Sequence, residues 1–175
     1  MVIICTCGSA AAATLQQLSL DQMADAATAI VLGRVTSSST SFTGSTIYTH
    51  YKIRALEIWK GSPAAEVLIP GGVAGGFRQS YPGVPTLQVG SEYVLFLWTS
   101  TKTGITHLVG LNQGIFNVAG QGSSTQVSRP AIGETVLDSS GHIVHERAVQ
   151  MSMSGLKSLV AQRTTPQSTI VGATR

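Results

Sequence analysis

Residues 46–60 read TIYTHYKIRALEIWK, and the phase of their apolar positions decides the fold. Ile47, Thr49, Tyr51, Ile53 and Ala55 alternate with Tyr48, His50, Lys52 and Arg54. Successive side chains on a strand point to opposite faces, so this alternation predicts a half-buried strand. The apolar phase then flips to Leu56 and Ile58. A flip inside one long strand predicts a bulge or a sharp coil, the device by which a strand bends between two sides of a small barrel.

On the N-terminal side, Ser37 to Ser45 is a polar stretch that predicts a loop, and Ala29 to Val35 reads as a buried strand. Before it, Ser19-Leu20-Asp21-Gln22 fits a capping box, and Leu18 and Met23 stand at the positions of a hydrophobic staple. A short helix over 20–27 follows. On the C-terminal side, Lys60-Gly61-Ser62-Pro63 predicts a turn and Glu66 to Ile69 a short strand. Pro70 to Pro85 (PGGVAGGFRQSYPGVP) is a long Gly/Pro loop, of the length that usually carries function. Val94 to Trp98 is an unbroken apolar run, which predicts a central strand covered on both faces. Short strands are expected at 105–111, 114–118, 126–128, 135–137 and 143–149. A last helix starts at Ser152 or Ser154, with Leu156, Leu159 and Val160 as its apolar stripe. Five to eight unequal antiparallel strands with a helix near each end predict a mostly β chain. The expected architecture is a small OB-like barrel over 14–163, with a β-sandwich as the alternative and a loose tail over 164–175.

Composition narrows the function classes. The 175 residues carry 11 Lys and Arg against 8 Asp and Glu, a net charge of +3. The basic residues are scattered, so the cluster that would neutralise several phosphates is missing and nucleic-acid binding is disfavoured. No apolar run approaches the ~20 residues of a membrane span.

Residues 2–13 (VIICTCGSAAAA) resemble the apolar core and small-residue cleavage site of an export signal, with Thr14 as the expected first mature residue. The basic flank that normally precedes such a run is missing, so a start further upstream is expected. Both cysteines, Cys5 and Cys7, fall inside this stretch. An exported, periplasmic or extracellular chain cut after Ala13 would hold neither disulfide nor thiol.

Catalytic signatures are weak. His142-Ile143-Val144-His145-Glu146 does not follow the helical His-Glu-x-x-His order, and on a strand its two histidines face opposite ways. The glycines of 71–76 lead into no Gly-Lys-Ser/Thr. Gly-x-Ser-x-Gly is missing, and the carboxylates outside the first helix are isolated. No catalytic residue, metal site or cofactor is therefore expected. The residues left as binding candidates are Phe77, Arg78 and Tyr81 in the long loop, together with Trp59.

The order of segments resembles a class of exported bacterial domains. The pieces that match are Ala24-Asp25, Ala29 to Val35, Trp59-Lys60-Gly61, Pro70-Gly71-Gly72, Gly90-Ser91-Glu92-Tyr93-Val94-Leu95-Phe96-Leu97 and Gly110-Leu111-Asn112-Gln113-Gly114-Ile115-Phe116. These domains are similar to the OB-fold, netrin-like module of the tissue inhibitors of metalloproteinases. Some resemble regions found beside exported metallopeptidases. The resemblance implies a barrel and a non-enzymatic, protein-binding role, with a secreted or envelope partner such as a peptidase. It does not carry over the inhibitors' zinc-binding N-terminal cysteine, since the chain expected after cleavage at Ala13 has none. Two other readings stand beside this one. The first is an OB-fold binder of single-stranded nucleic acid, and the second a hydrolase whose site forms only in three dimensions.

Overall fold

The computed structural model describes residues 14–164. The expected export segment with Cys5 and Cys7, and the tail beyond Thr164, lie outside them. In chain order the elements are β1 (Thr14–Gln16), α1 (Leu20–Ala26), β2 (Ala29–Thr43), β3 (Thr46–Lys60), β4 (Glu66–Pro70), β5 (Gly72–Ala74) and β6 (Phe77–Gln79). They continue with β7 (Glu92–Thr99), β8 (Thr106–Leu108), β9 (Ile115–Ala119), β10 (Gln126–Arg129), β11 (Thr135–Leu137), β12 (Ile143–Val144), β13 (Val149–Ser152) and α2 (Met153–Thr164). The chain is mostly β with two helices, as the sequence predicts.

The main sheet runs β13-β10-β9-β7-β2-β3-β4, and β8 pairs with the end of β7. This ladder does not return on itself, so the sheet is not closed into a barrel. The free edge of β4 lies beside β8 but meets it through a side chain, His107 Nδ1 donating to the Leu68 carbonyl at 3.0 Å. Closure needs a continuous register around the ring, and the three-residue β8 spends its ladder on β7. Of the two architectures expected, the unclosed, layered one fits.

The phase flip in β3 has its predicted cause. The β2–β3 register slips between Leu32 and Gly33, where Leu32 pairs with Glu57 and Gly33 with Ala55, leaving Leu56 as the extra residue of a bulge. Two further slips coil the hairpin more strongly. The polar stretch 37–45 needs a correction. It is not a loop: β2 runs on to Thr43, and a two-residue Gly44-Ser45 turn leads into β3. Serines and threonines exposed on both faces hide a strand that has no buried face to mark it.

Two cores flank the sheet. Val31, Val35, Tyr51, Ile53, Val67, Ile69, Leu95 and Leu97 fill the inside of the curl. Ile30, Val94, Phe96, Phe116 and Val127 face the other way, under Met23 and Ala24 of α1 and Leu156 and Val160 of α2. β7 is thus covered on both faces, as its unbroken apolar run predicts. The α1 capping box is present, with Ser19 Oγ accepting from the Gln22 amide and Gln22 Oε1 from the Ser19 amide. The expected strand over 143–149 is broken instead into β12 and β13, and that over 105–111 ends at Leu108.

Candidate functional site

The long Gly/Pro loop is itself folded. Residues 72–79 form the β5–β6 hairpin, turning at Gly75-Gly76, and it packs against the far end of the β2–β3 hairpin. Thr40 Oγ1 donates to the Val73 carbonyl at 2.5 Å and Thr49 Oγ1 to that of Gly71 at 2.8 Å. Gln79 accepts from the Ile47 amide at 2.6 Å and donates to the Ser45 carbonyl at 2.9 Å. On this anchored hairpin Phe77 stands 68% exposed. Its ring meets that of Phe42 edge-on, with centroids 6.4 Å apart, and exposed Val73 lies on the neighbouring strand of the same small hairpin. Arg78 and Tyr81 line a cavity of about 250 Å³ beside it with Pro70 and Pro85.

Three of the four sequence candidates therefore gather at one end of the molecule. Trp59 does not join them. It lies near the opposite end of β3, half-buried against the helix-covered core, where its Nε1 donates to Glu57. Phe42 belongs to the cluster and sequence reading missed it. Its signal was a lone aromatic in an otherwise polar run.

A second constellation lies across β2, β3 and β4. Ser41 Oγ is 2.8 Å from His50 Nε2, and His50 Nδ1 is 3.2 Å from Glu66 Oε2. The connectivity is that of a nucleophile, a base and the carboxylate that orients it. Its surroundings differ from those of a hydrolytic site. Ser41 is exposed and the Glu66 side chain is 44% exposed, so water reaches the relay.

The third is internal. Arg129, the last residue of β10, points under α1 with its guanidinium 5.5 Å from the Phe116 ring centroid. It donates to the Gln113 carbonyl at 2.8 Å and pairs with Glu146, both side chains being about 95% buried. Burial pushes the guanidinium below its ordinary value, and the Glu146 carboxylate works the other way. Arg129 Nε and Glu146 Oε2 have no hydrogen-bond partner. Gln113 beside them is a tie, accepting from the Leu18 amide and donating to the Gln16 carbonyl, each at 2.8 Å. It follows Leu111, which at φ 56° is the only described non-glycine residue in the left-handed region. Gly114 closes this turn. A Cβ there would stand 2.3 Å from the Val109 carbonyl oxygen, so no other residue fits. The turn sets Asn112 into the wall of a cavity of about 310 Å³ between the end of the long loop and residues 129–134.

His142 pairs only with Asp138, at 3.5 Å, and no group of three metal-ligating side chains occurs among the described residues. Nor is any described helix long and apolar enough to cross a membrane. Compared with known proteins, the chain matches no family model, no curated protein and no solved structure.

Proposed function

We propose that the protein is a non-enzymatic binding module of the extracytoplasmic space, docking a protein partner on Phe42, Val73 and Phe77. The observation that carries this reading is the exposure of Phe77 on a hairpin fixed by four side-chain hydrogen bonds. A large apolar side chain held rigidly in water loses little entropy on binding and gains all its burial there. Arg78 and Tyr81 beside it are residue types enriched among binding hot spots. The resemblance to netrin-like modules nominates a secreted peptidase as the partner, and the expected export signal agrees with that location. A photo-crosslinker at position 77, used in the native host, should trap one dominant protein. Phe77→Ala should then weaken the purified complex about tenfold or more, and an unchanged affinity removes this surface from the account.

A second reading, hydrolysis at Ser41, is favoured by the Ser41–His50–Glu66 relay alone. Its cost is the exposure of Ser41 and Glu66 to water, which a hydrolytic site excludes. Labelling of Ser41 by a fluorophosphonate, lost in His50→Ala, would carry it. No labelling of the intact chain disposes of it.

A further inference from the structure

A second row of rings lies on the sheet face opposite to Phe42. Phe42 stands across from buried Ile47, and Tyr48, the next residue of β3, points to the other face. Tyr48 pairs with Pro70 of β4, and its ring centroid is 6.2 Å from that of His107 on β8. His107 is in turn the cross-strand partner of Trp98 on β7. Residues directly opposite each other share a face, with Cβ atoms about 5 Å apart. β8 stands between β7 and the edge of β4, so Trp98, His107, Pro70 and Tyr48 form one row. Leu97 enters the core inside the curl, which places its neighbour Trp98 on the outside. Phe96, two residues earlier on that outer face, is fully buried in the helix-covered core, whereas Trp98 lies beyond that core and is 45% exposed. Each ring of the row keeps a polar atom unused. Trp98 Nε1 and the Tyr48 hydroxyl make no hydrogen bond to the described residues. His107 Nδ1 faces the Leu68 carbonyl, which can only accept, so that nitrogen carries the proton. Nε2 of the neutral ring is therefore an acceptor without a donor.

We infer that this row binds an uncharged polysaccharide, a chain of neutral pyranose rings. A pyranose ring has a face of C–H groups and a rim of hydroxyls, each hydroxyl both donor and acceptor. The C–H face lies on the indole of Trp98 and the phenol of Tyr48, large rings with few rotamers to lose on binding. The hydroxyl rim meets Trp98 Nε1–H, the Tyr48 hydroxyl and His107 Nε2. Two rivals fail on the same atoms. A proline-rich segment in the polyproline II form also docks on exposed Trp and Tyr rings. Its prolines offer carbonyls to the indole and the phenol but no N–H, so His107 Nε2 would be covered without a donor. An acidic polymer needs cations, and the row of Trp98, neutral His107, Pro70 and Tyr48 supplies none. His50, the next residue of β3 on this face, is already tied to Ser41 and Glu66. The inference stands apart from the Phe77 surface, because the two lie on opposite faces of the β2–β3 hairpin.

The test is an NMR titration of the full chain with three neutral hexasaccharides, cellohexaose, chitohexaose and maltohexaose, and with hexaproline as the rival. At least one hexasaccharide should give saturable shifts of the Trp98 indole N–H and of the Tyr48 and His107 ring signals. Trp98→Ala should weaken that binding about tenfold or more. Tyr48→Ala should weaken it too, and as a change on a different strand it guards against a fold defect in the first variant. Phe77→Ala should leave it unchanged. Absence of saturable shifts with all three sugars, unchanged affinity in both ring variants, an equal loss in Phe77→Ala, or tighter binding of hexaproline than of any sugar overturns the inference.

Discussion

Arg129 and Glu146 show what a buried charge can and cannot do for this protein. Each is desolvated, and each keeps one polar atom without a partner. Removing one partner leaves the other charge stranded, so Arg129→Met alone should cost about 3–5 kcal/mol. Arg129→Met with Glu146→Leu should cost much less than the sum of the two single changes, because the stranded charge disappears with its partner. Urea melts of the three variants check this, and additive losses would contradict it. Asp138 is the opposite case, a partly exposed carboxylate held by backbone. Its Oδ1 accepts from the Ser140 and His142 amides at 2.8 and 2.9 Å. These bonds, the His142 amide first, hold its pKa below the ordinary 3.8. A depressed folded pKa means that its support for the 138–142 turn is complete above about pH 4. That support is lost as pH falls through the lower folded value. The Ser140 and His142 amide shifts should titrate with a midpoint under 3.8 in the wild type and stay flat in Asp138→Asn. At this scale the sequence hid most of the candidate sites. Phe77, Arg78 and Tyr81 were legible as aromatics and charge in a long loop. Ser41, His50 and Glu66 meet only through folding, 9 and 16 residues apart along the chain, and carry no local pattern.

The elements were legible wherever periodicity and burial coincide. The capping box marked the start of α1, because there the local pattern and the tertiary environment agree. The β3 phase flip marked the position of its bulge, although Leu56 and Ile58 beyond it are 40% and 58% exposed. Misreadings fell where strands have no buried face. Thr36 to Thr43 is exposed throughout, and Gly72 to Gln79 is rich in glycine, so both read as loops although backbone ladders order them. At the junction of β13 and α2 no loop intervenes, and Ser152 serves both elements. It ends the strand opposite Gln126, and its Oγ caps the helix by accepting from the Gly155 amide at 3.1 Å. Ser152→Ala should therefore cost about 1 kcal/mol, whereas Ser154→Ala, on an exposed position, should stay within about 0.5 kcal/mol. Thermal melts of the two variants distinguish them, and equal losses would assign the cap wrongly.

The whole molecule is two hydrophobic cores sharing one sheet, and the sharing determines how it unfolds. Along β7, Leu95 and Leu97 enter the core inside the curl while Val94 and Phe96 enter the core under the helices, all four fully buried. Neither core can be dissolved while β7 stays in place for the other, because the strand would then expose one apolar face. β2 couples them in the same way, through Val31 on one side and Ile30 on the other. The two cores should thus open in one cooperative transition. Native-state hydrogen exchange measures this directly. Amides of Val67 to Ile69 in β4 report the first core, and those of Leu156 and Val160 in α2 report the second. In the wild type the slowest amides of both groups should give the same opening free energy. Leu95→Ala should lower both by about 2–5 kcal/mol, and Phe96→Ala both by about 3–5 kcal/mol. If Leu95→Ala lowered protection in β4 and left α2 untouched, the cores would be separate folding units. The helices would then be a layer that comes away from a sheet able to stand alone.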